Sequence, residues 1–401
     1  MRPFGALISY HEAKEIIDRH IHPITRTEML TINKVVNRVL ASDLIAAMDV
    51  PPFNRAAMDG YAVKAKDTFG AGQFKPKTFK IIGELHAGEN PVKKIKSSEC
   101  IQISTGAVMP DGADAVMMVE DTEREGTEVK FFKSVTPGAN VGKMGEDIKE
   151  GAIVLKAGTL LDAGKVGVLA SQGLSRVKVY QKPKIAIIPT GEEIVASGNK
   201  LKPGQLFDIN SHTISALVSA SGGTPVKIGI AGDKPDELRA TIKEALKSDI
   251  VVLSGGSSVG ERDLLVDVLD MWGEILFHGV QVKPGKPTIF AMIENKPLLG
   301  MPGYPTSCLI NSYLFLAPTI RKMAHLPPRK NDTVKAKLSR RVPGSTGRRQ
   351  FLTVKLVGDE AVSVFKESGA ITSIAEADGY IEIPENIDLL EKGETVTVTL
   401  F

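Results

Sequence analysis

Several stretches in the second half of the chain combine residue types that suit an anion and a cation at once. They are Thr190-Gly191-Glu192-Glu193, Gly232-Asp233, Ser254-Gly255-Gly256-Ser257-Ser258 running on to Glu261-Arg262-Asp263, Lys283-Pro284-Gly285-Lys286-Pro287, and Met301-Pro302-Gly303-Tyr304-Pro305-Thr306-Ser307. The Ser254–Ser258 run offers backbone N–H groups with little side chain in the way, and ahead of a helix it forms an anion nest. Lys283 and Lys286 add positive charge, and Pro284 and Pro287 stiffen the loop that carries them. Glu193, Asp233 and Asp263 are hard oxygen ligands of the kind Mg²⁺ uses together with phosphates. Fixed cations, a metal and an anion nest suit phosphoryl chemistry, where positioning and charge stabilisation dominate.

Taken singly, each stretch has a plainer reading. The glycines punctuate a turn, Glu193 and Asp233 cap helices or face water, and Lys283 is a surface lysine. Their joint placement decides otherwise. KIAIIP (184–189), PVKIGIA (225–231), DIVVLSGG (249–256), PTIFAMI (287–293) and PLLGMP (297–302) read as buried strands. Between them lie helical stretches: SHTISALVSASGG (211–223), the segment opened by Pro235 with Asp236 and Glu237 in its first turn, LLVDVLDMW (264–272), and a long apolar run to about Met323. Strand and helix alternate as in a doubly wound α/β domain with a parallel sheet. Every chemical stretch then falls at the edge where such sheets bind ligands, which favours a phosphate-containing ligand. The chain has neither GxxxxGK[ST] nor a strand–GxGxxG–helix fingerprint.

Around this core, Ser9-Tyr10-His11-Glu12 is a capping-box pattern for an N-terminal helix, and Ile32–Ile45 is apolar and mostly helix-compatible. Short β-type runs (FKIIGEL, ECIQIST, DAVMMVE, EVKFFKSV) fill residues 53–142, and FLTVKLV, YIEIP and ETVTVTL fill 331–401. The expected organisation is an α/β multidomain chain. A small mixed domain (1–52 plus 143–180) is interrupted by an inserted β-rich domain (53–142). The α/β domain (181–325) and a C-terminal β-barrel-like or sandwich domain (331–401) follow.

With 50 Lys+Arg against 47 Asp+Glu over 401 residues, the net charge is +3. Without a basic cluster this argues against a dedicated nucleic-acid binder. No run approaches the roughly 20 apolar residues that span a bilayer, and the N-terminus lacks the apolar core of a signal peptide. Cys100 and Cys308 have no metal-type spacing and read as two inert buried thiols in a reducing cytosol. A cytoplasmic protein is expected.

Pro51-Pro52-Phe53-Asn54-Arg55-Ala56-Ala57-Met58-Asp59-Gly60-Tyr61-Ala62, then Thr105-Gly106-Ala107 to Pro110, Gly112-Ala113-Asp114-Ala115-Val116 with Glu120, and Gly145-Glu146-Asp147-Ile148, precede the α/β loops in that order. Together these segments resemble the molybdopterin molybdenumtransferase family (MoeA-type, including the related domain of gephyrin) over essentially the whole chain. The resemblance makes the α/β domain one of the molybdopterin-binding type. It implies an enzyme that accepts adenylated molybdopterin, inserts molybdate or tungstate, hydrolyses the adenylate and releases AMP, with Mg²⁺ required. It implies a homodimer, with other enzymes of cofactor biosynthesis as candidate partners.

By position, Asp59, Thr105 and Asp147 match groups that reach across from the partner subunit. Glu193, Asp233 and Asp263 match the family's acidic, Mg²⁺-binding cluster, and Lys283 and Lys286 its basic pair. Ser254, Gly255, Gly256, Ser257, Ser258, Pro302, Gly303 and Ser307 match the substrate loops. Arg349 and Ser368 match oxyanion contacts. Three departures stand out. Ala56 replaces a Ser, Tyr304 stands where the family's last loop usually has Asn, and Gly142-Lys143-Met144 stands where arginines are common. The competing functions are a molybdopterin adenylyltransferase and a gephyrin-like scaffold without catalysis.

Overall fold

A computed structural model describes residues 6–232, 234–255, 264–330 and 332–401. The chain divides into two compact units, one formed by residues 29–179 and the other by 1–28 together with 180–401. Helix α1 (Tyr10–His20) belongs to the second unit and so parts company with residues 29–52. Its start is fixed as the capping pattern requires, with Glu12 N donating to Ser9 Oγ at 3.1 Å.

Residues 29–179 carry a mixed sheet of β1 (Gly60–Val63), β2 (Lys77–Leu85), β3 (Glu99–Ile103), β4 (Ala115–Met118), β5 (Thr122–Glu125) and β6 (Glu128–Phe131), in the order β4-β1-β3-β2-β6-β5. Two apolar clusters cover its faces, one around Phe79 and Phe131 and one around Leu85 and Ile101. The stretch 32–45 is not a helix. Ile32–Lys34 makes one 3₁₀ turn, Asn37 turns left-handed at φ 62°, and Val39, Leu40 and Leu44–Ile45 pair with residues 160, 179 and 153–155. Long-range strand pairing overrides the local pattern here.

In the second unit, β7 (Lys184–Pro189), α2 (Asn210–Ala220), β8 (Thr224–Lys227), α3 (Pro235–Ala245), β9 (Ile250–Ser254), α4 (Leu264–Trp272), β10 (Glu274–His278), β11 (Val282–Lys283), β12 (Ile289–Ile293) and β13 (Lys296–Met301) follow in sequence. All but β11 of these strands form one sheet, ordered β8-β7-β9-β13-β12-β10. The first four are mutually parallel, as the alternation demands. Side chains alternate between two cores. Ile185, Ile187, Ile250 and Val252 face α1 and α2, while Ala186, Ile188, Val251 and Leu253 face α3 and α4. Burial on both faces is why these strands read as unbroken apolar runs, and each buried Ile or Val contributes on the order of 1.5–3 kcal/mol.

The sheet is not parallel throughout. Glu294 and Asn295, with φ 49° and 60°, turn the chain in two residues, so β12 lies antiparallel to β13 and β10 antiparallel to β12. Strand β8 also ends early, at Lys227, ahead of Gly229 at φ 119°, and only Ala231 returns to bridge Thr190. Beyond β13, α5 (Pro305–Asn311) continues through a π-helical segment (Ser312–Leu316) into α6 (Ala317–Met323). Among the described residues, no helix is long and apolar enough to cross a membrane.

The C-terminal strands β14 (Thr333–Leu338), β15 (Arg349–Val357), β16 (Glu360–Ser363), β17 (Gly379–Ile383) and β18 (Thr395–Leu400) close on themselves. The ring runs β15-β16-β14-β18-β17 and returns to β15, a closed barrel with β11 added to its side.

Candidate active site

At the carboxyl edge of the parallel strands three backbones are tied together. Thr190 N donates to Ser254 O at 3.0 Å, and Gly255 N donates to Met301 O at 3.2 Å. Gly255 sits at φ 104°, and a Cβ there would lie 2.7 Å from both the carbonyl and the hydroxyl oxygen of Thr190, so only glycine fits. Gly303 comes equally near, since its Cβ would meet Gly255 Cα at 3.4 Å. Gly255 and Gly303, just past β9 and β13, therefore touch backbone to backbone.

Asn210, at the start of α2, secures this contact by donating its Nδ2 to Gly303 O at 2.8 Å. The first turn of α2 is held by Asp208, which accepts from Ser211 N at 3.0 Å and from the Ser211 hydroxyl. Period-two alternation puts Ser254 on the same side of the sheet as Val252, the side covered by α2. Asn210 Oδ1 and Ser254 Oγ are both buried and have no hydrogen-bond partner among the described residues. A group left so costs about 1–3 kcal/mol, so these two oxygens are polar capacity that the described residues do not use.

The second wall is the lysine loop. Its register, with Ile289 opposite Gly300, sets residues 283–288 at the same edge. Gly285 lies at φ 100° against fully buried Asn311, whose Nδ2 donates to Gly285 O at 2.8 Å and to Thr288 Oγ1 at 2.6 Å. The Thr288 hydroxyl in turn donates to Gly285 O at 2.9 Å. Lys283 is half-buried on β11, where it pairs with Gln350 of the barrel. Lys286 is likewise half-buried. The barrel also grips the last loop. Thr306 N donates to Ser368 O at 3.0 Å, and Thr306 Oγ1 to Ala370 O at 2.7 Å. Pro302 and Ser307 are buried, whereas Gly303 and Tyr304 are exposed.

Arg349 is committed elsewhere. Its guanidinium donates to Glu382 at 2.6 Å and Glu385 at 3.0 Å and lies over the Tyr10 ring, 5.8 Å from the centroid. Its backbone N–H holds Gln281 O at 2.9 Å, so Arg349 anchors the strand that leads into the lysine loop. Ser368 meets the site through its carbonyl.

In the other unit, Asn54–Ala57 lies between two neighbouring segments. Ala56 N donates to Ala107 O and Gly106 N to Ala56 O, while Ala57 N reaches Asn140 O and Met144 N reaches Asn54 Oδ1. On this frame Asp59 Oδ1 accepts from Thr105 N at 2.6 Å and from Thr105 Oγ1 at 2.8 Å. Both residues are exposed. The backbone donor and then the hydroxyl favour the carboxylate, so Asp59 titrates below its ordinary 3.8. The contact is held above that value and fades as pH falls through the lower folded value. In a carboxyl NMR titration, Thr105→Ala should move the Asp59 midpoint up toward 3.8. An unmoved midpoint would show that the hydroxyl contributes nothing. Exposed Asp147 sits on the same frame, its N–H donated to Val50 O at 3.0 Å.

Of the expected acidic cluster, Glu193 lies exposed just past β7, and Asp233 and Asp263 fall outside the described residues. Gly256, Ser257 and Ser258 of the expected nest do so too. No group of three or more His, Cys, Asp or Glu comes together among the described residues. Exposed Glu193 offers at this edge the hard carboxylate oxygens that magnesium takes together with phosphates, so the chemistry of the edge fits that ion. Both cysteines are free and buried, and burial pushes each thiol up to about 12, which leaves them inert. Asn210 and Asn311 escaped the sequence reading. The only local signal was Asp208 three residues ahead of Ser211, a helix-start pattern that marks the turn carrying Asn210.

The fold and this edge define a multidomain protein built around an α/β ligand-binding domain, with a closed barrel against its lysine loop. Family models match in order along the chain: the MoeA N-terminal region (domain I and II) over residues 8–173, the probable molybdopterin binding domain over 186–322, and the MoeA C-terminal region (domain IV) over 335–401. The chain belongs to the MoeA family. A molybdopterin molybdenumtransferase of Haemophilus influenzae is 33% identical over 386 residues, covering 94% of each chain. A putative molybdopterin biosynthesis protein of Methanocaldococcus jannaschii is 35% identical over 405 residues, covering 98% of this chain and 96% of its own. Two crystal structures of molybdopterin biosynthesis MoeA proteins from Pyrococcus horikoshii superpose with TM-scores of 0.88 and 0.82, at 42% and 33% identity. They cover 98% and 99% of this chain, and 99% and 100% of their own.

Proposed function

We propose that this chain is a molybdopterin molybdenumtransferase. It takes adenylated molybdopterin and molybdate (or tungstate), places the metal on the dithiolene, hydrolyses the adenylate and releases AMP. The observation that carries this reading is the carboxyl edge of the parallel strands, where Gly255 and Gly303 meet backbone to backbone and Asn210 Oδ1 and Ser254 Oγ are buried with no hydrogen-bond partner among the described residues. In a chain with relatives named for this transfer, that edge is where the substrate's phosphates belong.

On this reading Gly255 and Gly303 let the substrate approach main-chain groups. Lys283 and Lys286 offset charge on the phosphates and the oxyanion, in a loop that Asn311 keeps in place. Glu193, with Asp233 and Asp263, would hold Mg²⁺, which would neutralise phosphate charge and activate water for hydrolysis. Asp59, Thr105 and Asp147 would come from a second copy of the chain, completing the site in a homodimer. Ser307 would lie beside the oxyanion.

The test is AMP release from adenylated molybdopterin with Mg²⁺, with and without molybdate. AMP that appears only when molybdate or tungstate is added supports the transferase. A protein that makes adenylated molybdopterin from ATP but never consumes it would be an adenylyltransferase. One that binds the substrate and releases no AMP with either oxyanion would serve as a scaffold.

A further inference from the structure

Tyr304 is a large side chain in an unusual setting. The residue is 68% exposed, yet the backbone on both sides of it is fixed. Gly303 O accepts from Asn210 Nδ2 at 2.8 Å. Pro305 follows, and Thr306 is hydrogen-bonded to Ser368 and Ala370 of the barrel. Tyr304 O accepts Cys308 N at 2.9 Å and so opens α5. The ring therefore stands on a pre-ordered loop at the ligand-binding edge, one residue from the point where the loops after β9 and β13 touch. The residue opposite is Gly369, whose Cβ, if it had one, would come 3.6 Å from Tyr304 Cδ1. That is ordinary contact distance, so Gly369 packs its backbone near one edge of the ring and puts no side chain over it.

An aromatic ring on ordered backbone loses little freedom when a flat partner covers it, and it offers that partner both area and a π-face. Among the described residues of this edge, the lysine loop and the main-chain groups of Gly255 and Gly303 offer polar contacts. A ligand with phosphate at one end and a planar heterocycle at the other would use both kinds of surface. We propose that Tyr304 is the stacking platform for the heteroaromatic ring of the ligand, either the adenine or the pterin of an adenylated pterin. The inference rests on the transferase reading for the ligand's identity, and on the exposed ring and its fixed loop for its place.

Equilibrium binding by calorimetry tests it with three probes: AMP, pterin-6-carboxylate, and ribose 5-phosphate as a phosphate ligand without a ring system. Tyr304→Ala should weaken one heterocyclic probe about tenfold, in line with the loss of one stacked base, and leave ribose 5-phosphate unchanged. Tyr304→Phe should bind like the parent. Loss with AMP assigns the ring to adenine, and loss with the pterin assigns it to the pterin. Undiminished binding of both heterocycles by Tyr304→Ala overturns the platform, as does equal weakening of ribose 5-phosphate. Weakening in Tyr304→Phe would mean a hydroxyl hydrogen bond in place of stacking, and overturns it too. If the parent protein itself binds none of the probes or the adenylated substrate, the transferase reading fails, an outcome distinct from a parent that binds and a variant that binds equally well.

Discussion

Alanine at Gly285 is expected to cost about 2–5 kcal/mol of stability and to silence AMP release. Two effects add. At φ 100° an L side chain is strained, and the new Cβ would fall 2.2 Å from Asn311 Nδ2, which is fully buried and cannot swing away. Asn311 also holds Gly285 O and Thr288, so the clash passes directly into the loop that carries Lys283 and Lys286. Gly358→Ala is the matched control: that glycine has φ 61° and nothing within 4 Å of its would-be Cβ. Denaturant unfolding of the pair separates backbone strain from the clash. If Gly285→Ala loses no more stability than Gly358→Ala, the packing against Asn311 has been given too much weight.

Lys283→Ala should act oppositely, lowering kcat/KM for AMP release about 10²–10³-fold while the protein melts close to the parent. Lys283 is half-buried on a strand whose backbone pairing with Gln350 does not depend on the side chain. Its removal therefore takes away charge without taking away the loop. Lys283→Arg keeps the charge but changes its shape and reach, and should recover part of the rate. An unchanged kcat/KM in Lys283→Ala would remove this residue from the site.

Much of the α/β architecture could be read from sequence because its strands are buried on both faces, so Ile185–Ile188 and Ile250–Leu253 appear as uninterrupted apolar runs. The helix starts at Ser9 and Pro235 were legible because a cap is a local device. The reversal at Glu294-Asn295 was not, since two left-handed residues of those types announce a hairpin far less strongly than Asn-Gly would. The short β runs of 331–401 announced a barrel-like domain, but not which strands close it, because that depends on β17 finding β15 across the intervening chain. The same division runs through the site. Loops such as Ser254-Gly255 and Lys283–Lys286 were found from their place at strand ends. Asn210 and Asn311 were not, because the carbonyls they hold lie 93 and 26 residues away. Arg349 shows the converse. The family resemblance singled it out as an oxyanion contact, but its occupation by Glu382 and Glu385 belongs to the folded barrel.

One unit of this protein is assembled from two stretches of chain that are far apart, with α1 packed into the same core as Ile185, Ile187 and Ile250. On the ribosome α1 emerges first, while the strands that cover Ala13, Ile17 and Ile21 follow only after roughly 150 more residues, a delay of about 10–30 s at ordinary elongation rates. The whole 29–179 unit can fold in that interval, leaving a tethered, sticky leader to be collected last. Removal of residues 1–28 would expose the apolar face of the α/β core that Ala13, Ile17 and Ile21 cover.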